Sequence, residues 1–272
     1  MNYRVFICLL VFGCTANKPP KEQLSQYRLG FDYAYQEGLL QVTLKNTLHC
    51  PVRFWVQSEH PALNTRLAEG NPILLGALQD TVLEIEVPRS EKAPLRIASR
   101  LGDPSKALRP VKMQLPFQKD RSYRLIQGYA SEPTHNSDWS RYALDFGLAV
   151  GDTVCAAADG YVVGQVTDYR SGGPGEEWKN YGNFITLYHP ESGLFTQYVH
   201  LKYRGSLVQP GDRVQAGQPI GMAGMTGQTN IEHLHFNCLK PANTEKGLVS
   251  VPLDSIGPYG ISELKRYAPV QN

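Results

Sequence analysis

The chain has 272 residues, 42% of them hydrophobic, and a formal net charge of +2. That length holds one large or two ordinary domains with a real core, and the near-balanced charge excludes the basic footprint of a nucleic-acid binder. A content of 25 glycines, 19 prolines and 15 tyrosines favours short strands joined by turns, so a mostly β protein is expected.

Residues 1–13 read as a targeting signal. Arg4 supplies a positive n-region, and the apolar run from Val5 to Gly13 is too short to span a bilayer. The ending Val11-Phe12-Gly13-Cys14 resembles a bacterial lipoprotein signal, which implies cleavage before Cys14 and lipidation of its thiol. The competing reading is ordinary signal-peptidase cleavage and a soluble secreted protein. A lipid on Cys14 would place the chain in the bacterial cell envelope, anchored to a membrane on its periplasmic or extracellular side. Cys50, Cys155 and Cys238 then remain, an odd number. Cys155 and Cys238 can be a disulfide of an oxidising compartment or two buried free thiols.

Residues 14–26, with "TANKPPKEQLSQ", read as a polar tether. From 27 to 112 the runs "LLQVTLKN", "PVRFWVQS", "TVLEIEVP" and "PLRIAS" are expected strands, separated by turn signals at Gly38, Asn46, Pro51, Pro88 and Pro94. In "TVLEIEV", Val82, Glu84 and Glu86 face one way while Leu83, Ile85 and Val87 face the other. An immunoglobulin-like β-sandwich is expected here. His49 and His60 have no partner nearby and read as surface or structural histidines.

The texture changes near "VKMQLPFQKDRSYRLIQGY". Residues 113–272 carry more glycine turns and almost all remaining histidines. Strands are expected at "DTVCAAA", "GYVVGQVTDY", "NFITLYH", "LFTQYVHL", "RVQAGQPIGMAG" and "HLHFNCL". "YRSGGPGEEW" lacks the GK[ST] ending of a phosphate cradle and reads as a surface loop. The tail holds a weak helical candidate, "ISELKRY".

His233 and His235 in "IEHLHFN" would share one face of a strand. With His135, Asp145, His189 and His200 they are the candidates for a zinc site of nitrogen and oxygen ligands, and a catalytic zinc needs three protein ligands and an open position. The lone-histidine alternative, a satisfied structural residue, applies to each singly.

The motifs "YALDFGLAVGDTVCAAADGYVVG", "YGNFITLYH", "YVHL", "VQPGDRVQAGQPIGMAGMTG" and "HLHF", in this order, resemble the lysostaphin/LytM-type zinc endopeptidases of bacterial cell walls over about residues 113–257. The resemblance implies a compact antiparallel β domain with one zinc in a groove, acting on peptidoglycan peptide, with a regulatory protein partner possible. It implies Asp145 and His235 as zinc ligands, and His200 and His233 as catalytic histidines that orient or deprotonate water and stabilise the oxyanion. The family's usual first histidine ligand falls on Arg141, which cannot ligate. One branch carries that histidine further upstream, so His135, in "SEPTHNSDWSRYALDF", takes the role. His189 reads as structural. Asn183 and Tyr198 are candidates for the substrate groove, with a turn asparagine and a packed tyrosine as alternatives. Glu232 stands where a small residue or proline is more usual.

Two functions remain open at this point: a zinc endopeptidase of peptidoglycan stems or cross-links, and a LytM-like domain without activity that binds wall or activates another hydrolase. A biotinyl-type carrier hairpin lacks its lysine at the tip. A GxSxG elbow is absent from the sequence, and Cys155 lies in an expected strand rather than at an exposed helix N-terminus.

Overall fold

The period of two in "DTVLEIE" sets its buried side. In strand Asp80–Glu86, Val82, Glu84 and Glu86 are exposed while Leu83 and Ile85 are half-buried. The computed structural model describes residues 18–272, so the signal segment and Cys14 lie outside the described residues. Strand Asp80–Glu86 pairs with Leu39–Lys45, which pairs with Gly30–Gln36; a second three-stranded sheet orders Ile73–Leu75, Val52–Ser58 and Leu95–Leu101. All these pairs are antiparallel. Leu40, Val42 and Leu44 of the first sheet share one core with Val52, Phe54 and Val56 of the second.

A helix, Pro61–Glu69, was not expected among these strands; it buries Leu63 and Leu67. Its signals are Pro61 in the first turn and Gly70 at the C-terminal cap, masked by a weakly amphipathic sequence. The count of six strands and one helix compares with seven strands in an immunoglobulin constant-type domain.

The second half is built on a nine-stranded antiparallel sheet, ordered Arg213–Val214, Gly160–Val166, Phe184–His189, Leu194–Val199, Leu234–Pro241, Leu144–Phe146, Ser122–Gln127 and Pro269–Gln271, with Leu248–Ser250 beside Leu234–Pro241. The tail candidate "ISELKRY" supplies only a 3-10 turn, Ile261–Glu263. One face of the sheet sends Ile185, Leu187, Tyr198, Leu234, Phe236, Leu144 and Phe146 into a core shared with Val154, Leu201 and Ile220 of a smaller sheet.

The alternate residues lie on the opposite face, and strand register sorts them into three rows. Asp145, His235, Val199 and Phe184 are the first; Asn237, Gln197, Thr186 and Gly164 the second; Leu239, Phe195, Tyr188 and Tyr161 the third. Leu239, Phe195 and Tyr188 are buried in the core of the N-terminal sheets. Those sheets therefore pack on the same face as His235, about 13 Å along the strands from it at about 3.3 Å per residue.

Arg53 pins this junction. Buried, it donates from Nε to Gly102 O (2.9 Å), from Nη1 to Ala242 O (3.1 Å) and Asn243 Oδ1 (3.0 Å), and from Nη2 to Leu101 O (3.1 Å) and Gly247 O (3.0 Å). All five guanidinium donors are used. Arg53→Ala strands these acceptors and is expected to cost on the order of 3–5 kcal/mol in urea unfolding. Arg53→Lys recovers part of it, having three donors; an unchanged midpoint in Arg53→Ala would contradict the assignment.

Residues 18–26 are not a free spacer throughout. The Leu24 N–H donates to Tyr169 Oη (2.7 Å), Gln165 N–H donates to Gln26 O (2.8 Å), and the Gln26 side-chain oxygen accepts from Thr186 Oγ1 (3.0 Å). Cys50, Cys155 and Cys238 are free and buried, which settles the disulfide alternative for Cys155 and Cys238. Burial pushes their thiols up, Cys155 to about 11 and Cys238 to about 12, so both pack as small apolar groups. No helix among the described residues is long and apolar enough to cross a membrane.

His189 is structural, as read. Its Nδ1 faces Asp159 O (2.8 Å) and its Nε2 faces Thr196 Oγ1 (2.9 Å). Burial lowers it to about 4. Between pH 6.5 and about 4 the unfolded chain therefore binds a proton that the folded chain does not, and stability falls as pH drops through that window, by about 3 kcal/mol. Urea unfolding at pH 7 and pH 4.5 is expected to show a smaller pH loss in His189→Gln than in wild type. Equal losses would contradict this cause.

Candidate metal centre

Antiparallel pairing places His235 directly across from Asp145. Both alternate with core residues, Leu234 and Phe236 on one strand and Leu144 and Phe146 on the other, so both must point to the far face. His235 Nδ1 lies 2.9 Å from Asp145 Oδ1.

His135 arrives on the loop between Ser122–Gln127 and Leu144–Phe146, where "SEPTHNSDWS" is too polar and turn-rich for a strand. The loop binds itself: Gln127 Nε2 donates to Ser131 O (2.9 Å), Ser140 Oγ to Thr134 O (2.7 Å), and the His135 N–H to Ser131 O (3.0 Å). It is tied to the sheet where Ser250 N–H donates to Asp138 O (2.7 Å) and Asn237 Nδ2 to Trp139 O. His135 is fully buried as a result. Arg141 is exposed, and its carbonyl accepts from Ala130 N–H (2.7 Å).

His135 Nδ1 is 2.8 Å from Gly128 O. A carbonyl only accepts, so Nδ1 carries the proton and Nε2 the lone pair. That Nε2 is buried without a hydrogen-bond partner, 3.2 Å from Asp145 Oδ1. Two acceptors facing each other at this distance need a proton or a cation between them. One ligand atom each from His135, Asp145 and His235 fits within 4.8 Å, and two imidazoles with one carboxylate is a donor set suited to zinc.

The charges agree. Burial opposes ionisation of Asp145, but His235, His135 and His233 hold it well below the usual carboxylate range. Burial also opposes protonation of His135, and Asp145 outweighs it, raising the imidazole. Burial lowers His235 despite Asp145, which keeps its nitrogens available as neutral ligands.

His233 and His200 stand beside this set, their rings 4.6 Å apart. His233 Nδ1 lies 2.9 Å from Ile231 O, and its Nε2 is 3.7 Å from Asp145 Oδ2. His200 follows strand Leu194–Val199 with φ at +67°, a conformation a non-glycine residue rarely adopts. Its Nδ1 meets Thr226 O at 2.8 Å. Burial, and then His233 and His235, lower His200 to about 3. Both imidazoles are thus held as Nδ1–H tautomers that leave Nε2 free to accept.

Two groove assignments are corrected. Tyr198 is fully buried on the opposite face of the sheet, its Oη accepting from Ala157 N–H (2.8 Å) and Thr196 Oγ1 (3.1 Å). Strand alternation excludes it from the face that carries His235. Asn183 is buried and pins a turn instead: its Oδ1 accepts from Tyr169 N–H (3.0 Å), its Nδ2 donates to Tyr169 O (2.8 Å), and its N–H donates to Thr226 Oγ1 (2.8 Å).

Sequence reading missed Thr226, whose carbonyl orients His200, and Ile231 and Gly128, whose carbonyls orient His233 and His135. Any residue supplies a carbonyl, so side-chain identity gives no signal. Gly227 gives one: its φ is +81°, and a Cβ there would lie 2.7 Å from Gly182 Cα, so only glycine lets the Thr226 turn lie against residue 182.

An antiparallel β domain thus gathers two imidazoles and a carboxylate on one sheet face, flanked by two more imidazoles, a set that could hold a metal ion. Residues 140–246 match the model of peptidase family M23; His135 precedes that span. Glycyl-glycine endopeptidase ALE-1 of Staphylococcus capitis is 36% identical over 117 residues, 42% of this chain and 29% of that protein. Lysostaphin of Staphylococcus simulans is 34% identical over 133 residues, 48% of this chain and 24% of that protein. Peptidoglycan DD-endopeptidase ShyA of Vibrio cholerae is 30% identical over 117 residues, 42% of this chain and 24% of that protein. The chain thus spans less than a third of the length of these curated relatives. A solved structure of Staphylococcus simulans lysostaphin aligns with a TM-score of 0.36 at 30% identity, over 47% of each chain.

Proposed function

We propose that the protein is a zinc-dependent endopeptidase that hydrolyses peptide bonds in peptidoglycan stems or cross-links. The observation that carries this reading is the buried, unpartnered His135 Nε2, 3.2 Å from the Asp145 carboxylate that also faces His235. The likeness to two proteins named as endopeptidases of glycyl-glycine and peptidoglycan bonds supports the substrate class.

His135, Asp145 and His235 would hold the zinc. Zinc held there would supply Lewis acidity toward a peptide carbonyl and water. His200 and His233 do the proton work. Each keeps its proton on Nδ1, against Thr226 O and Ile231 O, and offers the Nε2 lone pair to the attacking water. Once protonated there, the same nitrogen donates to the developing oxyanion, or returns the proton to the leaving amine. The low basicity of His200 keeps it neutral before the reaction.

Residues 27–112 form the β-sandwich domain and 113–272 the peptidase domain in this reading. Lipidation of Cys14 would anchor both in the bacterial cell envelope, with a regulatory protein as a possible partner. The test is incubation of the purified protein with isolated peptidoglycan. Release of soluble fragments is expected, lost with a chelator and restored by zinc. Folded, zinc-loaded protein that releases nothing would contradict the enzyme and favour the wall-binding or activating role.

A further inference from the structure

We infer that Gln26, with Leu24, forms a wall of the substrate groove and selects small side chains about three residues from the scissile bond. The inference rests on the peptidase reading above, and concerns a segment outside the matched family domain.

The first row of the exposed sheet face runs from Asp145 and His235 across Val199 to Phe184, both of which are partly accessible. This row is the floor open to a peptide lying across the strands. Gln26 lies over the next row. Its side-chain oxygen accepts from Thr186 Oγ1 (3.0 Å), its carbonyl accepts from Gln165 N–H (2.8 Å), and a Cβ added to Gly164 would come within 2.6 Å of Gln26 Oε1. Leu24 is held one step further on by Tyr169 Oη (2.7 Å) and leaves 44% of its surface exposed. Lys18 and Pro20 continue the segment along a cleft with Asp168, Tyr169, Arg170, Ser171 and Trp178.

Rows on one face are two residues apart, about 7 Å. Neighbouring strands need about 4.8 Å, so the lane between the metal row and Gln26 takes one extended backbone with little side chain on that side. Along the lane, Thr186 is two strands from His235, about 10 Å, which an extended peptide covers in about three residues. The sandwich packed over the third row leaves the peptide no second lane on that side.

The test uses the full chain and quenched peptides that share one cleavable bond and carry alanine or leucine three residues to either side of it. Wild type is expected to favour alanine about tenfold in kcat/KM on one side. Gln26→Ala is expected to raise the leucine peptide about tenfold and the alanine peptide less than twofold. Thr186→Val, which removes the partner of the Gln26 side chain, is expected to act in the same direction. A structural role alone would shift both peptides alike, and an unchanged ratio in both variants overturns the inference. Wild type that cuts neither peptide, nor peptidoglycan, overturns the peptidase reading and this one with it; cleavage without preference overturns this one alone.

Discussion

Asp145→Asn is expected to remove zinc from the protein and bring peptide hydrolysis to background, a loss on the order of a thousandfold or more. The substitution keeps the shape of the side chain and one acceptor oxygen, so the loop and strands around it need not move. What it removes is the negative charge among the imidazoles of His135, His233 and His235, all with a ring nitrogen within 3.7 Å of that carboxylate. A neutral amide is a poor ligand for a divalent ion, and the neighbours of Asp145 hold it ionised well below the usual carboxylate range, so the wild-type carboxylate is charged at any physiological pH. Metal analysis of the purified variant reads the first effect and fragment release the second. Retained zinc with retained activity would remove Asp145 from the site.

His233→Ala and His200→Ala are expected to separate binding from chemistry. Neither residue belongs to the set whose ligand atoms fit within 4.8 Å, so each variant should keep its zinc while kcat falls by about 10²–10⁴. Their rings lie 4.6 Å apart and in the proposed reaction would act on the same few atoms, so the double variant should lose little more than the worse single one. Loss of zinc in either variant would make that histidine a ligand. Additive losses would place the two in separate steps.

The shared face of His233 and His235 was legible because a strand's period is local. That Asp145 would lie across from His235 depends on strand register ninety residues apart, and only the family resemblance supplied it. His135 is a clearer case still: it sits in a loop without period, outside the matched family span, and its burial comes from hydrogen bonds of Gln127, Ser131 and Ser140 that no pattern announces. Tyr198 was misplaced although the alternation that excludes it was available. It was offered beside the family resemblance, which carries no assignment of sheet face. Asn183 was offered in the same way, and its side chain is spent on the turn at Tyr169.

The placement of the N-terminal sheets had no signal in the sequence. Leu239, Phe195 and Tyr188, which they bury, have the same composition as any core position. Arg53 read as an ordinary strand residue because its five acceptors are backbone carbonyls and one asparagine from distant turns. The helix Pro61–Glu69 carried Pro and Gly in the right places, but nine residues with only two buried side chains are a weak pattern among strong strands. Residues 24–26 read as tether because their contacts are mostly made by backbone atoms.

The central claim is that these five side chains hydrolyse peptide bonds with the help of a metal. Mass spectrometry of peptidoglycan fragments released by wild type, by chelator-treated wild type and by Asp145→Asn tests it most directly. Fragments with new peptide amino and carboxyl ends on intact glycan, formed by untreated wild type alone, are the predicted result. Fragments cut in the glycan, or the same peptide products from the chelated protein and from Asp145→Asn, would contradict it.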